Sequence, residues 1–258
     1  MSAAPILHGV DLVLRPGELT AVMGASGAGK STLLELAAGR REAGTTTGRV
    51  MYNGVPLSAA LRHCIAFVHQ HDVALATLTV RETLRYAAAL RMPHAAADRG
   101  EAVERMLSLL RLGACADTRV ERVSGGERKR LSIGVELVRS SPVLLLDEPT
   151  TGLDAPGAHA VAASLQRLAR AGHTVAMTIH QPSPESAALF DRLVLLWEGR
   201  VAYDGPAADA TAFLRRALGR DADAVLREPG TPGAAPAPAG APAPRWNCLL
   251  YTSPSPRD

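Results

Sequence analysis

One glycine-rich segment of the 258-residue sequence has residue types and spacing that suit phosphate binding. It reads Gly24-Ala-Ser-Gly-Ala-Gly-Lys-Ser31, which satisfies the pattern GxxxxGK[ST], and it stands between an apolar run and a segment with a helical pattern. Glycines allow the backbone to wrap a phosphate, and the N–H groups of the loop and of the following helix point positive dipoles at it. The Lys30 ammonium can reach β- and γ-phosphates, and the Ser31 hydroxyl can bind Mg²⁺. The pattern predicts a nucleotide site formed by Gly24, Ala25, Ser26, Gly27, Ala28, Gly29, Lys30, Ser31 and Thr32.

Two carboxylates end a short apolar run further along the chain. Val143–Leu146 has the composition of a buried strand, and Asp147 and Glu148 follow it directly. In a parallel sheet the carboxyl end of a strand faces the ligand crevice. Asp147 can hold Mg²⁺ through water there, and Glu148 can polarise an attacking water. Four apolar residues followed by an acid more often mark a solvated strand end, but the preceding phosphate loop favours the catalytic interpretation.

A second segment with anion-binding character reads Ser124-Gly125-Gly126-Glu127 and is followed by Arg128-Lys129-Arg130. Two glycines directly after a helix N-cap leave the first backbone N–H groups bare, so this helix start can attract an anion. An ordinary cap with a solvated basic face is the alternative, and we expect the three basic residues to form such a face. Since the chain already has one phosphate loop, the second anion site suggests a role at the nucleotide of another molecule.

The motifs depend on a framework in which strand and helix patterns alternate. Strands are predicted at residues 19–23, 50–52, 65–68, 143–146 and 174–179, with an Asn53-Gly54 hairpin turn and a strand pair around Glu198-Gly199. Helices are predicted at 30–38, at 80–91 and 125–139 after capping boxes, and at 99–110, 156–170 and 207–218. The alternation predicts a parallel sheet covered by helices, and the helix-only stretch from 78 to 139 predicts an inserted helical lobe.

Composition excludes several classes of protein. Basic and acidic residues number 28 and 25, a balance too even for a nucleic-acid binder. The sequence has no run of 18 apolar residues, and its N-terminus lacks the basic and apolar regions of a signal peptide. Three scattered cysteines, Cys64, Cys115 and Cys248, argue against a disulfide framework and for a reducing compartment.

The composition changes near residue 228. Residues 228–244 are rich in Pro and Ala and are predicted to form an extended linker after a folded domain of residues 1–227. Residues 245–258, RWNCLLYTSPSPRD, fit neither the linker nor a packed element. They resemble read-through of a cloning or sequencing adapter, with a genuine short tail as the alternative, and they are excluded from the fold prediction.

Longer stretches around the motifs resemble one protein family. VSGGERKRLSIGVELVRSSPVLLLDEPTTGLDA (123–155) is similar to the signature motif, Walker B strand and D-loop of ATP-binding-cassette (ABC) ATPases. FVHQHDVALATLTVRETLRYAAALRMP (67–93) and TIHQPS (178–183) resemble the G subfamily, the white or eye-pigment type, in which the ATPase domain precedes a membrane domain. The resemblance covers about residues 5–218. It implies a P-loop NTPase (RecA-like) α/β core with a small antiparallel β subdomain and an inserted α-helical subdomain at about 72–140.

The resemblance also implies roles for matching residues. Gln70 resembles the Q-loop residue that contacts Mg²⁺ and couples the site to the membrane domain, His180 the switch histidine that holds the γ-phosphate, and Asp154 the D-loop acid. With these, the expected catalytic residues are Glu148, His180 and Lys30, and the expected Mg²⁺ ligands are Ser31, Gln70 and Asp147. In the family two such domains pair head to tail, so each ATP lies between residues 24–32 of one chain and Ser124, Gly125, Gly126 and Glu127 of its partner.

The function implied is ATP hydrolysis that powers export of a lipid-like or other amphipathic substrate, with the domain at the cytoplasmic face of a membrane. The membrane domain is missing from this chain. The alternative is a soluble ABC-type ATPase acting as a nucleotide-gated binding module, which predicts a second cassette or a strongly basic extension, and neither is found. A P-loop kinase would leave residues 124–127 unexplained.

Two departures from the family pattern stand out. No aromatic residue precedes Tyr52, so a ring that stacks on adenine is not evident, and a strand before the phosphate loop is expected to be missing or cut off. His69 and His71 flank Gln70 and could begin a metal site, but a third ligand is not evident. The other histidines, His8, His63, His94, His159 and His173, are expected at the surface or in turns.

Overall fold

A computed structural model describes residues 5–40, 46–70, 74–92, 96–218 and 248–251. The strands are β1 (Asp11–Leu14), β2 (Leu19–Gly24), β3 (Arg49–Tyr52), β4 (Val55–Pro56), β5 (Ile65–Val68), β6 (Val143–Leu146), β7 (Thr174–Thr178), β8 (Arg192–Trp197), β9 (Arg200–Pro206) and β10 (Cys248–Tyr251). The α-helices are α1 (Lys30–Ala38), α2 (Ala59–Arg62), α3 (Val80–Arg91), α4 (Ala96–Leu109), α5 (Gly125–Leu137), α6 (Ala155–Arg170), α7 (Pro184–Ala187) and α8 (Ala207–Leu218).

The larger sheet has six strands in the order β5-β6-β7-β2-β8-β9. All neighbouring pairs are parallel except β8 and β9, which form an antiparallel hairpin. Every residue of β5, β6 and β7 is buried, which explains why these strands are continuous apolar runs rather than alternating ones. Helices cover the sheet on both faces, with α1 packed in one apolar cluster and α3, α5 and α6 in the other. The predicted α/β core with a parallel sheet is confirmed.

The smaller sheet is antiparallel and has the strand order β1-β10-β3-β4. Its β3–β4 hairpin turns at Asn53 and Gly54, which both have positive φ, as the Asn-Gly pair predicts. Strand β1 was not predicted. It lies before the phosphate loop, where the sequence led us to expect no strand. Its sequence, Asp11–Leu14, is not a continuous apolar run like those of β5 and β6.

Strand β10 corrects the expectation that residues 245–258 contain no packed element. Cys248–Tyr251 lies between β1 and β3 and pairs with both. Without it each of these strands would present an open edge, and a short apolar segment can satisfy the unpaired backbone groups of two edges at once. The remaining residues of the tail, and the predicted linker at 228–244, lie outside the described residues.

The helical lobe is built from α3, α4 and α5. Both predicted capping boxes are present, Thr79 with Glu82 at α3 and Ser124 with Glu127 at α5. Gly134 brings the middle of α5 close to its neighbours, since a Cβ there would lie 2.9 Å from Leu110 Cδ1. Helix α5 therefore packs closely against both α3 and the end of α4. Of the described residues, no helix is both long and apolar enough to cross a bilayer.

Candidate functional site

The phosphate loop occupies the turn between β2 and α1. Gly24, Gly27 and Gly29 all have positive φ, at 154°, 78° and 97°. A Cβ on Gly24 would lie 2.4 Å from the Leu196 carbonyl oxygen, and one on Gly29 would lie 2.6 Å from Leu7 Cδ2. Glycine is required at Gly24 because backbone angle and the Leu196 backbone both exclude a side chain, and it is favoured at Gly29 by the backbone angle. The loop therefore has the backbone shape that wraps a phosphate.

Lys30 begins α1 and turns its ammonium back into the loop. Its Nζ donates to the carbonyl oxygens of Gly24 at 2.9 Å and Ala25 at 3.0 Å, and the residue is only 5% exposed. The N-cap of α1 is Gly29, so no side chain satisfies the first N–H groups of the helix. A fixed cation and uncapped amides meet at one point, which favours an anion.

Asp147 meets the phosphate loop at the carboxyl end of β6. Ser31 Oγ donates to Asp147 Oδ1 at 3.0 Å, and Thr178 Oγ1 donates to the same oxygen at 2.7 Å. Thr178 also accepts a hydrogen bond from the Glu148 backbone N–H at 2.7 Å. A hydroxyl and a carboxylate that converge in this way are the hard oxygen ligands that Mg²⁺ prefers, so the residues present fit this ion.

The Glu148 carboxylate is held by three side chains. His180 Nε2 lies 2.9 Å from Oε1, while Gln70 Nε2 and Thr151 Oγ1 donate to Oε2 at 3.3 and 3.0 Å. The backbone of Glu148 is left-handed, with φ 47°, an unusual state for a residue other than glycine. Residues from β5, β6, β7 and the phosphate loop thus form one group, as expected from parallel strands that end at the same edge.

The segment that begins α5 lies in a different place. The Ser124 backbone N–H donates to Glu127 Oε2 at 2.8 Å, which lowers the pKa of that carboxyl below its ordinary value. A Cβ on Gly125 would lie 3.0 Å from Leu153 Cδ2, and one on Gly126 would lie 3.3 Å from Gly157 Cα. Leu153 lies just before α6 and Gly157 lies in its first turn. Ser124 and Gly125 are exposed. The structure therefore puts this segment beside α6 and not in the group around Glu148.

Asp154 acts as a helix cap in the structure. It is the N-cap of α6, and its Oδ1 accepts a hydrogen bond from the Gly157 N–H at 3.2 Å. Its predicted role as the D-loop acid is a separate matter and stays a prediction. The same holds for the roles assigned to Gln70 and His180, although their side chains do contact Glu148.

The expectation of a solvated Arg128-Lys129-Arg130 face is wrong for its central residue. Lys129 is 3% exposed, and its Nζ donates to the Gln70 backbone carbonyl at 2.8 Å. Sequence reasoning also missed Thr178 and Thr151. Thr178 could have been found, because it ends a buried strand two residues before His180 and so reaches the same sheet edge.

The possible metal site at His69 and His71 gains no support. His69 Nε2 lies 3.3 Å from Arg40 Nη1, and its ring packs against the edge of Phe67. His71 lies outside the described residues. Within those residues, no group of three or more His, Cys, Asp or Glu side chains is arranged to hold a metal ion.

The fold and the site together define a P-loop ATPase domain. A strand, a phosphate loop and a helix stand at the carboxyl edge of a parallel sheet, and an Asp-Glu pair on a neighbouring strand faces the loop. The family model for ABC transporters matches residues 7–151. The chain belongs to the ABC transporter family.

The curated relatives that this chain matches include G-type transporters. ABC transporter G family member 14 of Arabidopsis thaliana is 43% identical over 215 residues, which cover 81% of this chain and 33% of the relative. The broad substrate specificity ATP-binding cassette transporter ABCG2 of Mus musculus is 41% identical over 219 residues, covering 82% of this chain and 33% of the relative. The chain spans about a third of the length of these curated relatives.

Solved structures agree on the fold. An ATP-binding subunit of an ABC transporter has a TM-score of 0.66 and 26% identity, covering 85% of this chain and 89% of that one. An ATP-binding cassette of an ABC transporter in its ADP conformation has a TM-score of 0.68 at 22% identity, covering 83% and 93%. The second likeness concerns the fold alone. The predicted P-loop NTPase architecture is confirmed.

Proposed function

We propose that this chain is the ATP-hydrolysing domain of a G-type half-transporter. The observation that carries the proposal is the hydrogen-bonded group in which Ser31 of the phosphate loop reaches Asp147, while Gln70 and His180 reach Glu148. A phosphate site, an oxygen ligand set for a divalent ion and a base candidate stand together at one sheet edge. The transporter class is supported by relatives at 41–46% identity.

The mechanism assigns each polar group of the site one task. The loop amides and Lys30 bind the β- and γ-phosphates, and they offset charge as the γ-phosphoryl group transfers to water. Glu148 orients the attacking water and accepts its proton, while the bond between the γ-phosphorus and the bridging oxygen breaks and ADP leaves. His180, whose Nε2 lies 2.9 Å from Glu148 Oε1, holds the γ-phosphate. Ser31, Asp147 and Gln70 would hold Mg²⁺, which would supply neutralisation of phosphate charge.

The second anion-binding segment, residues 124–127, is suited to bind the nucleotide held by a partner chain. Its exposed residues Ser124 and Gly125 stand apart from the Glu148 group, and the positive end of the helix dipole at the start of α5 attracts phosphate. A head-to-tail dimer would set Ser124, Gly125, Gly126 and Glu127 of one chain against the ATP held by residues 24–32 of the other. Asp154 then lies near the dimer interface, since it caps the helix that flanks this segment.

The proposed role in transport is based on the G-type relatives. The domain works with a transmembrane domain, which lies outside this chain, at the cytoplasmic face of a membrane, and it drives export of a lipid-like or other amphipathic substrate. ATP-driven closing of the dimer supplies the movement. A soluble nucleotide-gated module is not favoured, because the relatives quoted are transporters and the net charge of +3 gives no reason to expect nucleic acid as a partner.

A single substitution tests the hydrolytic role. Glu148→Gln keeps the shape of the side chain but removes the base, so kcat should fall at least about 100-fold. ATP binding should persist, since the loop and Lys30 are intact. Glu198→Gln is a matched control, because Glu198 is exposed and also has a positive φ, at 46°. Undiminished hydrolysis in Glu148→Gln would remove Glu148 from the mechanism.

A further inference from the structure

A basic cavity of about 170 Å³ lies at the end of the larger sheet opposite the phosphate loop. It stands beside Ile65, the first residue of β5, and Ser141, which lies two residues before β6. Four arginines line it, each at or within two residues of a helix end: Arg40, Arg62, Arg91 and Arg139. The phosphate loop follows the carboxyl end of β2, whereas these residues surround the amino ends of its parallel neighbours, so the cavity is separate from the nucleotide site.

The positive charge of this cavity is largely uncompensated. Among the residues that the structure describes, one carboxylate lines it, and that carboxylate is already paired, since Glu136 Oε1 lies 2.6 Å from Arg91 Nη2. No carboxylate within the described ranges pairs with the other three arginines, Arg40, Arg62 and Arg139. Like charges that converge without a counter-charge repel one another, and a bound anion would offset this repulsion.

Packing, and not pairing with acids, holds two of these arginines in place. Arg62 lies over the end of α1, because a Cβ on the C-cap residue Gly39 would be 3.0 Å from Arg62 Nε. The Arg40 guanidinium carbon is 5.3 Å from the centre of the Phe67 ring, and its Nη1 is 3.3 Å from His69 Nε2. A guanidinium group has five N–H donors, so one fixed through its face or a single nitrogen keeps donors for a ligand. Such preorganisation lowers the cost of binding.

We propose that this cavity binds a phosphate group, supplied either by free phosphate or by a lipid headgroup. Planar guanidinium groups pair with two phosphate oxygens at once, which makes arginine the side chain best suited to this anion. The polar lining residue that is most buried is Ser141, at 5% exposed, and His63 lines the cavity as well. Pockets for small molecules begin at about 300 Å³, so the smaller cavity suits a single phosphate group and not a second nucleotide.

NMR titration of the full chain with inorganic phosphate at constant ionic strength tests the site. The amide signals of His63 and Ser141 should shift saturably in wild type. In Arg62→Gln/Arg139→Gln the phosphate concentration for half-saturation should rise at least about ten-fold, because two charged donors are lost. Both arginines are exposed, so this variant should fold. If it does not, Arg139→Gln alone should raise the half-saturation concentration at least about three-fold.

Arg105→Gln/Arg216→Gln is the matched control. It removes the same amount of charge from two exposed arginines of α4 and α8 that do not line the cavity. Its half-saturation concentration should equal that of wild type. Equal weakening in the two double variants would show that overall charge, and not the cavity, attracts phosphate, and would overturn the proposal. Signals from residues 24–32 are followed separately, so a failure of the phosphate loop to bind leaves this result unaffected.

Vesicles distinguish a lipid headgroup from free phosphate. Leu90, next to Arg91, is 87% exposed, so an apolar side chain that a lipid could contact stands beside the cavity. If a headgroup is the ligand, wild type should sediment with phosphatidylcholine vesicles only when they contain phosphatidic acid, and Arg62→Gln/Arg139→Gln should stay in solution. Saturable phosphate shifts without vesicle binding would assign the cavity to free phosphate. If wild type shows neither response, or if both are unchanged in Arg62→Gln/Arg139→Gln, the proposal is overturned and the arginines serve the helix ends alone.

Discussion

At the scale of single residues, the site depends on threonines as much as on the acids themselves. Thr178 is fully buried, and its hydroxyl group bridges the Asp147 side chain and the Glu148 backbone, each at 2.7 Å. One hydroxyl therefore fixes the Asp147 side chain and the Glu148 backbone. It donates to Asp147, the proposed Mg²⁺ ligand, and accepts from the backbone N–H of Glu148, the proposed base, so neither of these two groups can move without breaking a short hydrogen bond.

Thr178→Val tests this orienting role because it keeps the shape and removes the hydroxyl. We expect the Mg²⁺ concentration for half-maximal ATP binding to rise at least about ten-fold, as is usual when a partner of a metal ligand is lost. Fluorescence titration of ATP binding with and without Mg²⁺ measures it. Thr178→Ser should restore wild-type behaviour.

Thr20→Val is the control for Thr178→Val. Thr20 is also a fully buried threonine of the same sheet, but its hydroxyl group has no hydrogen-bond partner among the described residues. Its replacement should leave Mg²⁺ dependence unchanged. An equal response of the two valine variants would show that the loss of any buried hydroxyl, and not the orientation of Asp147, is responsible.

The positions of site residues were predictable where a motif fixes them, and were missed where only packing does. The glycine pattern and the Asp-Glu pair identify the phosphate loop and the acids without a structure. The position of Lys129 inside a basic triplet suggests a solvated face, and only the packing of α5 against β5 and the Gln70 segment reveals that it is buried. Charge alone does not report burial.

At the scale of elements, the sheet edge is the feature that assembles the site. Strands β5, β6, β7 and β2 are parallel neighbours, so their carboxyl ends bring Gln70, Asp147, His180 and the phosphate loop to one side. The continuous apolar runs of these strands made them predictable to within a residue. Strands β1 and β10 were missed because each is defined by its partners rather than by its own pattern.

The turn between α6 and β7 makes the stability of the fold depend on pH. His173 lies in this turn, its Nδ1 is 2.9 Å from the Ser141 carbonyl oxygen, and burial lowers its pKa below the usual value of 6.5. The unfolded chain therefore binds a proton more readily than the folded one. The contribution of His173 to stability is complete above pH 6.5 and is lost as pH falls through the folded pKa.

Replacement of the imidazole should remove this dependence. Between pH 7.5 and about 5, the thermal midpoint of wild type should fall more steeply than that of His173→Gln, measured by circular dichroism. His63→Gln, which changes an exposed histidine, should keep the wild-type slope. Parallel slopes for wild type and His173→Gln would contradict the assignment.

At the scale of the whole molecule, the proposed dimer gives each chain halves of two sites. The start of α1 stands with Lys30 in the group that contains Glu148, while the start of α5 faces α6 with Ser124 and Gly125 exposed. In this proposal a monomer can bind a nucleotide but cannot surround it. This division could be suspected from the two anion-binding motifs, but their separation in space is a tertiary property that spacing along the sequence does not contain.

Mixing two inactive variants tests the shared site. Lys30→Met disables the phosphate loop, and Gly125→Asp places a carboxylate where the partner's phosphate would approach. Such an acid at a helix start favours the helix itself, so the second variant should fold. A heterodimer of the two contains one site whose halves are both intact.

The ATP hydrolysis rate of the one-to-one mixture is the most direct measurement of this account. Each variant alone should be inactive, and the mixture should recover up to about a quarter of the wild-type rate, since half of the dimers then carry one of two sites. A mixture no more active than the sum of its separate variants would contradict the head-to-tail ATPase.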